Sequence, residues 1–147
     1  MKALIQRVSS AKVDVSGNTI GAIDAGIMLL LGVEKTDTTE CVDRMLKKIV
    51  NYRIFSDENA KMNLSLLDIN GGLLIVSQFT LVAQTNKGSR PGFSAGASPA
   101  HGELIYNDFV LKAKSAVIQT ETGKFGADMQ ISLVNDGPVT FMFEINA

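Results

Sequence analysis

Apolar and polar residues alternate through the opening of the chain. ALIQRV, AKVDVSG and TIGAID each carry the period-two pattern of a strand with one buried face. Gly17-Asn18 suits a hairpin turn between the second and third of these. GIMLLLGV, residues 26–33, is continuously apolar and short, as expected of a strand buried on both faces. The period then changes. In DTTECVDRMLKKIVNY, Val42, Met45, Leu46 and Ile49 fall on one face of a helix, and Asp37 followed by Glu40 resembles a capping box. YRIF reads as a short strand, SDENAKMN as a polar loop, and GGLLIVSQFTL as a strand that stays apolar on both faces as far as Ser77. Residues 83–98, AQTNKGSRPGFSAGAS, are rich in Gly, Ser and cations and predict a long loop, a class of segment that often carries function. Ser98-Pro99 supplies an N-cap and a first-turn proline for a helix running to about Thr120. MQISLV and VTFMFEI predict the closing strands.

With no βαβ alternation and no GxGxxG, this order predicts an α+β domain of curved, largely antiparallel, barrel-like sheets with two covering helices. Residues 1–147 form one domain without repeat, linker or low-complexity segment. Between the last two strands, LVNDGPVTF (133–141) places a proline where a ladder amide is expected. Two readings of Gly137-Pro138 stand side by side. One is an Asn-Asp-Gly-Pro hairpin turn. The other is a segment that aims main-chain carbonyls at something.

Composition narrows the function classes. At 46% hydrophobic and 20% charged, 147 residues can build a real core. No run approaches the roughly 18 apolar residues of a membrane span, and MKALIQRV lacks a signal-peptide pattern, so a cytoplasmic protein is expected. The single cysteine, Cys41, has no internal disulfide partner and reads as a small core or surface side chain. A net charge of -1 provides no global field for nucleic acid, so any RNA contact must be local. One His and one Cys cannot make the usual zinc cage, and the acidic residues lack ligand spacing. Neither metal nor cofactor is expected.

Several segments carry candidate chemistry. SQFT offers the Ser77 and Thr80 hydroxyls, the Gln78 amide and four backbone N–H groups, which suit ester or oxyanion chemistry, or alternatively sit satisfied in a buried strand. A Ser-His-Asp arrangement would need His101, the only histidine, which also reads as a solvated first-turn side chain. Phe125 and Met129 read first as core, and Lys87 and Arg90 as surface charges well placed for phosphate contacts.

In order, IQRVSSAKVDVSG, RIFSDENAKMN, VSQFTL, KGSRPGFSAGASP, TGKFGADM and SLVNDGPVTF span nearly the whole chain. Together they resemble the D-aminoacyl-tRNA deacylases, long called D-tyrosyl-tRNA deacylases. Two departures fall in the long loop: Gly92 stands within Arg90-Pro91-Gly92-Phe93 where the family has RPSF, and Gln84 replaces a more usual acidic residue. The resemblance implies a homodimer whose active site lies near the subunit interface. The Gly137-Pro138 segment of one subunit, its peptide bond cis, is then expected to enter the pocket of the other. There its carbonyls exclude L side chains and admit any D side chain. Phe125 and Met129 are expected to line the pocket for the terminal adenine. The implied substrates are D-aminoacyl-tRNA and Gly-tRNA, and the implied products are free amino acid and tRNA.

The residues do not present an activated protein nucleophile, so the economical mechanism uses the ribose 2'-OH to help water attack. Backbone N–H groups around Phe79 and Thr80 then form the oxyanion hole. Two rival classes remain open: a module that binds the tRNA acceptor end without cleaving it, and an esterase with Thr80 or Ser77 as nucleophile and His101 as base.

Overall fold

One long strand organises the molecule. The computed structural model describes residues 1–147, and in it β1 (Lys2–Val15) pairs antiparallel with three strands. These are β2 (Asn18–Ile23), β3 (Gly26–Gly32) and β8 (Gln130–Glu144). The order β2-β1-β3 continues through β6 (Gly72–Ser77) to β7 (Thr120–Thr122), with β8 along the other side of β1. β2 and β7 approach so closely that a Cβ on Gly21 would lie 2.6 Å from the Thr122 carbonyl oxygen. Glycine there lets the two edges meet and bends the sheet into a nearly closed barrel. The fold class is α+β, as the sequence predicts.

Two helices pack on this barrel: α1 (Thr39–Asn51) and α3 (Pro99–Ala116). Cys41, Val42, Met45, Leu46 and Ile49 of α1 and Ile105, Tyr106 and Phe109 of α3 share one core with Ala3, Ile5, Leu29 and Ile75 of the sheet. Truncating a side chain buried like Phe109, which is 0% exposed, costs about 3 to 5 kcal/mol. A second core on the opposite face of the sheet holds Val8, Ala11, Val13, Met28, Leu74 and Val76.

The structure corrects several sequence expectations. ALIQRV and AKVDVSG form one strand. The backbone runs through exposed Ser9 and Ser10, and register shifts at Gln6/Val8 and Val8/Ser10 accompany a change of the buried positions from Ala3 and Ile5 to Val8 and then back to Ala11 and Val13. Two parallel crossovers replace the expected absence of βαβ units: β3 to β6 across α1, and β6 to β7 across α3. The expected loop SDENAKMN contributes to a small hairpin of β4 (Phe55–Ser56) with β5 (Met62–Leu64). A third, one-turn helix, α2 (Leu66–Ile69), follows, and the capping box is there, between Ser65 and Asp68.

Asp37 and Glu40 form no capping box. Thr38 occupies the N-cap of α1, while buried Asp37 accepts from the Met1 ammonium at 2.7 Å and from the Glu34 N–H at 2.7 Å. α3 stops at Ala116 because β7 must begin at Thr120, whose hydroxyl donates to the Val117 carbonyl at 2.8 Å. Period-two packing in β8 turns Phe141 and Phe143 inward, edge-on to Tyr52, and leaves Met142 half exposed. No helix is long and apolar enough to cross a membrane.

Candidate active site

The expected strand GGLLIVSQFTL ends at Ser77. The Gln78 N–H makes a bond of 2.8 Å to the Leu31 carbonyl, and the chain then coils into a short 3-10 turn over Phe79–Val82. One of the four N–H groups ascribed to SQFT is thus committed to the sheet. Those of Phe79 and Thr80 open the turn, where a 3-10 helix supplies no partners of its own. Beside them lies a cleft of about 560 Å³. Ser77, Gln78 and Phe79 line it together with Phe125, Asp128 and Met129, and with Pro99 and Gly102 from the first turn of α3.

Five of the residues singled out in the sequence therefore meet here: Ser77, Gln78, Phe79, Phe125 and Met129. Thr80 stands at the edge, and its Oγ1 accepts a hydrogen bond from Gln78 Nε2. A donor at that oxygen withdraws lone-pair density, the reverse of nucleophile activation. His101 offers no help. Its backbone N–H donates to the Ser98 N-cap oxygen at 3.3 Å, and its Nε2 lies 3.0 Å from the Asp37 carbonyl oxygen. Behind the wall, the Tyr106 ring lies 5.7 Å from that of Phe125, and its hydroxyl donates to the Ile75 carbonyl at 2.9 Å. Burial pushes the Tyr106 pKa up to about 12, so this donor stays protonated in neutral solution.

Lys87 and Arg90 lie elsewhere, around a shallow cleft of about 390 Å³ shared with Gln84, Asn86 and Gly92. The two loop positions that depart from the family pattern face each other there: Gln84 N–H donates to the Gly92 carbonyl at 2.7 Å, and Gly92 N–H returns the bond at 3.0 Å. No group of three or more His, Cys, Asp or Glu side chains is arranged to hold a metal ion.

Gly137-Pro138 lines neither cleft, and the hairpin-turn reading fails. β8 pairs with β1 on both sides of it, through Asn135 with Val8 and Thr140 with Gln6, so residues 136–139 form a bulge. Asp136, Gly137 and Pro138 of the bulge are exposed while Val139 is buried in the main core, the Gly137-Pro138 bond is cis, and neighbours clasp the segment firmly. Asn135 Nδ2 donates to the carbonyls of Arg7 and Val139 at 2.9 Å each, and Asn135 Oδ1 accepts from Val139 N–H at 3.1 Å. Arg7 adds a bond from Nε to the Asp136 carbonyl at 2.8 Å and one from Nη1 to the Ile54 carbonyl at 2.7 Å.

Sequence reasoning missed Arg7, Asn135, Asp128 and Tyr106. Asn135 read as a turn residue, and a signal did exist: an amide side chain beside Gly-Pro can satisfy the backbone groups that a bulge orphans. Asp128 is the one charged side chain on the large cleft.

A family model described as D-Tyr-tRNA(Tyr) deacylase matches residues 4–144. The chain belongs to this deacylase family. A protein of Pseudoalteromonas atlantica named D-aminoacyl-tRNA deacylase is 59% identical over 145 residues, covering 99% of this chain and 100% of the relative. One of Pseudomonas aeruginosa with the same name is 56% identical over 144 residues, covering 98% and 99%. Among solved structures, a c-Myc DNA unwinding element binding protein superposes with a TM-score of 0.95 at 40% identity over the full length of both chains. A probable eukaryotic D-amino acid tRNA deacylase superposes with a TM-score of 0.86, covering 98% of each chain, and at 17% identity that likeness concerns the deacylase fold alone.

Proposed function

We propose that this cytoplasmic deacylase hydrolyses the ester of D-aminoacyl-tRNA and of Gly-tRNA, releasing free amino acid and tRNA, and spares L-aminoacyl-tRNA. The observation that carries the reading is the meeting of Ser77, Gln78 and Phe79 with Phe125 and Met129 around one cleft. An aromatic ring and a thioether suit the face of the terminal adenine. At the same cleft, the Phe79 and Thr80 N–H groups are available to an ester oxygen that becomes negative during attack.

With Thr80 bonded to an amide donor and His101 bonded to a carbonyl, the reading assigns no covalent step to the protein. The ribose 2'-OH next to the ester orients the attacking water and relays its proton, accepting it while passing its own to the 3'-oxygen as the acyl C–O bond breaks, and the cleft holds the ester against the oxyanion donors. Chirality is read by main chain. In a homodimer, the Gly137 and Pro138 carbonyls of one subunit enter the cleft of the other and meet the groups that every amino acid shares. An L side chain collides with that wall, a D side chain points away, and glycine has nothing to collide.

Ester loss from D-Tyr-tRNA, Gly-tRNA and L-Tyr-tRNA tests the reading. The first two are expected to be cleaved and the third spared. Thr80→Ala and His101→Ala should keep substantial activity, whereas a 2'-deoxy terminal adenosine should abolish it. Binding with every ester intact would make the protein an acceptor-end binding module, and an acyl-enzyme trapped on Thr80 would establish the nucleophilic esterase instead.

A further inference from the structure

Phe79 contributes its N–H to the proposed oxyanion site, yet its side chain is 68% exposed. It is not alone. Phe93, 42% exposed, lies with its ring centroid 5.3 Å from that of Phe79 and its plane tilted by 47°. Two large aromatic side chains thus share a solvent-facing shelf, an arrangement that leaves apolar surface in water unless a ligand covers it.

The shelf has a definite position. Phe79 is a wall of the large cleft, and Phe93 directly follows Gly92, which lines the second cleft with Lys87 and Arg90. The loop that carries Phe93 is pinned at its base by the paired Gln84 and Gly92 backbone bonds and by Ser94 Oγ donating to Gln84 Oε1 at 3.1 Å. A pocket for a nucleoside, an aromatic shelf and a pair of cations therefore follow one another along the surface. An unpaired polynucleotide end has matching parts in the same order: a terminal nucleoside, a base with two open faces, and phosphates.

Resting on the proposed function, we infer that the Phe79–Phe93 shelf stacks the base of the nucleotide preceding the terminal adenosine, with the phosphates behind it directed to Lys87 and Arg90. Stacking on an aromatic side chain is indifferent to base identity. The net charge of -1 makes these local cations, rather than a global field, the anionic strand's guide. The deacylase accordingly measures two nucleotides rather than one, and esters on a lone nucleoside are poorer substrates.

The test compares D-tyrosyl-adenosine with the D-tyrosyl ester of the dinucleotide cytidylyl-adenosine. The wild-type protein is expected to show kcat/KM about tenfold higher on the dinucleotide, the scale of one base-aromatic stack. Phe93→Ala should erase that gain and leave hydrolysis of D-tyrosyl-adenosine unchanged, and Phe93→Tyr should restore it. A non-hydrolysable 3'-amide carrying 2-aminopurine in the penultimate position reports stacking directly, as quenching with the wild type and none with Phe93→Ala. If esters are cleaved but quenching and the dinucleotide gain persist in Phe93→Ala, the shelf is wrong and the deacylase reading survives. An equal loss on both esters likewise overturns the shelf, because Phe93 then merely supports the cleft. If no ester is cleaved while Phe93-dependent quenching remains, the shelf stands and the deacylase reading falls.

Discussion

Around the cleft, side chains from β6, α3 and the 125–129 segment converge, and buried Tyr106 braces Phe125 from behind. The Gly137-Pro138 bulge is a contrast: Asp136, Gly137 and Pro138 are exposed and line neither of the two clefts, and hydrogen bonds from Asn135 and Arg7 set their shape while buried Val139 anchors the segment to the core. The Asn135 amide and the Arg7 guanidinium satisfy main-chain groups that the bulge orphans, and in doing so they hold its backbone in one shape. Spending Asn135 and Arg7 on such a segment makes sense if its main chain must present a fixed shape to something outside the subunit. Cleft and bulge are then two halves of one site, and the homodimer proposed above is the arrangement that joins them.

Breaking the bulge should have the largest effect. A Cβ on Gly137 would sit 2.1 Å from Val139 N and 2.9 Å from Val139 Cγ2, so alanine cannot be accommodated without moving the segment. Because Gly137 and its neighbours Asp136 and Pro138 are exposed, Gly137→Ala should cost about 1 to 3 kcal/mol of stability, as overpacking does, and leave the protein folded. Hydrolysis of D-Tyr-tRNA should fall by about a hundredfold, the change that roughly 2.7 kcal/mol of lost transition-state stabilisation produces. Mixing this variant with Ala127→Trp, which fills the cleft, tests the two-subunit site. Re-formed dimers should regain about a quarter of wild-type activity, since half are mixed and each mixed dimer has one intact site. No recovery in verified mixed dimers would place cleft and bulge in the same subunit.

The same contrast separates what the sequence discloses from what it hides. Helix α1 was legible because it keeps one period along its whole length, strand β3 because it is a short, continuously apolar run, and Ser98-Pro99 marks the start of α3 by local chemistry. The cleft was legible through the SQFT and FGADM motifs. The bulge was not, because the turn chemistry of Asn-Asp-Gly-Pro is genuine and only the long pairing of β8 with β1 overrides it. Asp37 misled for a related reason. Its carboxylate suits a helix cap, yet the Met1 ammonium and the Glu34 N–H, both brought by tertiary structure, claim it. The two parallel crossovers were hidden as well: no local pattern records that β3 and β6 lie side by side, and β7, a strand of three residues, has too little pattern to register.

A smaller effect is expected when the clasp is loosened and the bulge itself is left intact. Asn135→Ala leaves the Arg7 and Val139 carbonyls without the Nδ2 donor and the Val139 N–H without its acceptor, at about 1 to 3 kcal/mol. Asn135→Asp keeps only the bond from Val139 N–H. Both variants should lose deacylation about tenfold, equivalent to roughly 1.4 kcal/mol, and both should cleave L-Tyr-tRNA relatively better as the carbonyl wall slackens. Lower stability with an unchanged D-to-L ratio would reduce Asn135 to a structural residue.

The smallest effect belongs to the cleft side and concerns its brace. Tyr106→Phe removes a hydroxyl whose acceptor, the Ile75 carbonyl, still receives Gly123 N–H at 3.0 Å. Near neutral pH the loss should be about 1 kcal/mol, with deacylation nearly unchanged. Alkali should reverse the order of the two proteins. In the folded protein Tyr106 has a pKa raised from 10.0 to about 12 by burial, so above pH 10 the unfolded chain releases its proton first and holds fewer protons than the native state. Stability that is fully present below pH 10 is therefore lost as pH climbs toward 12, by about 3 kcal/mol over the window. The Tyr106→Phe variant has no proton to lose at this position, so urea midpoints of the two proteins should converge above pH 10 and cross before pH 12. Parallel midpoints across that range would mean that Tyr106 ionises as freely in the fold as in water, and that the wall behind Phe125 is wetter than its geometry implies.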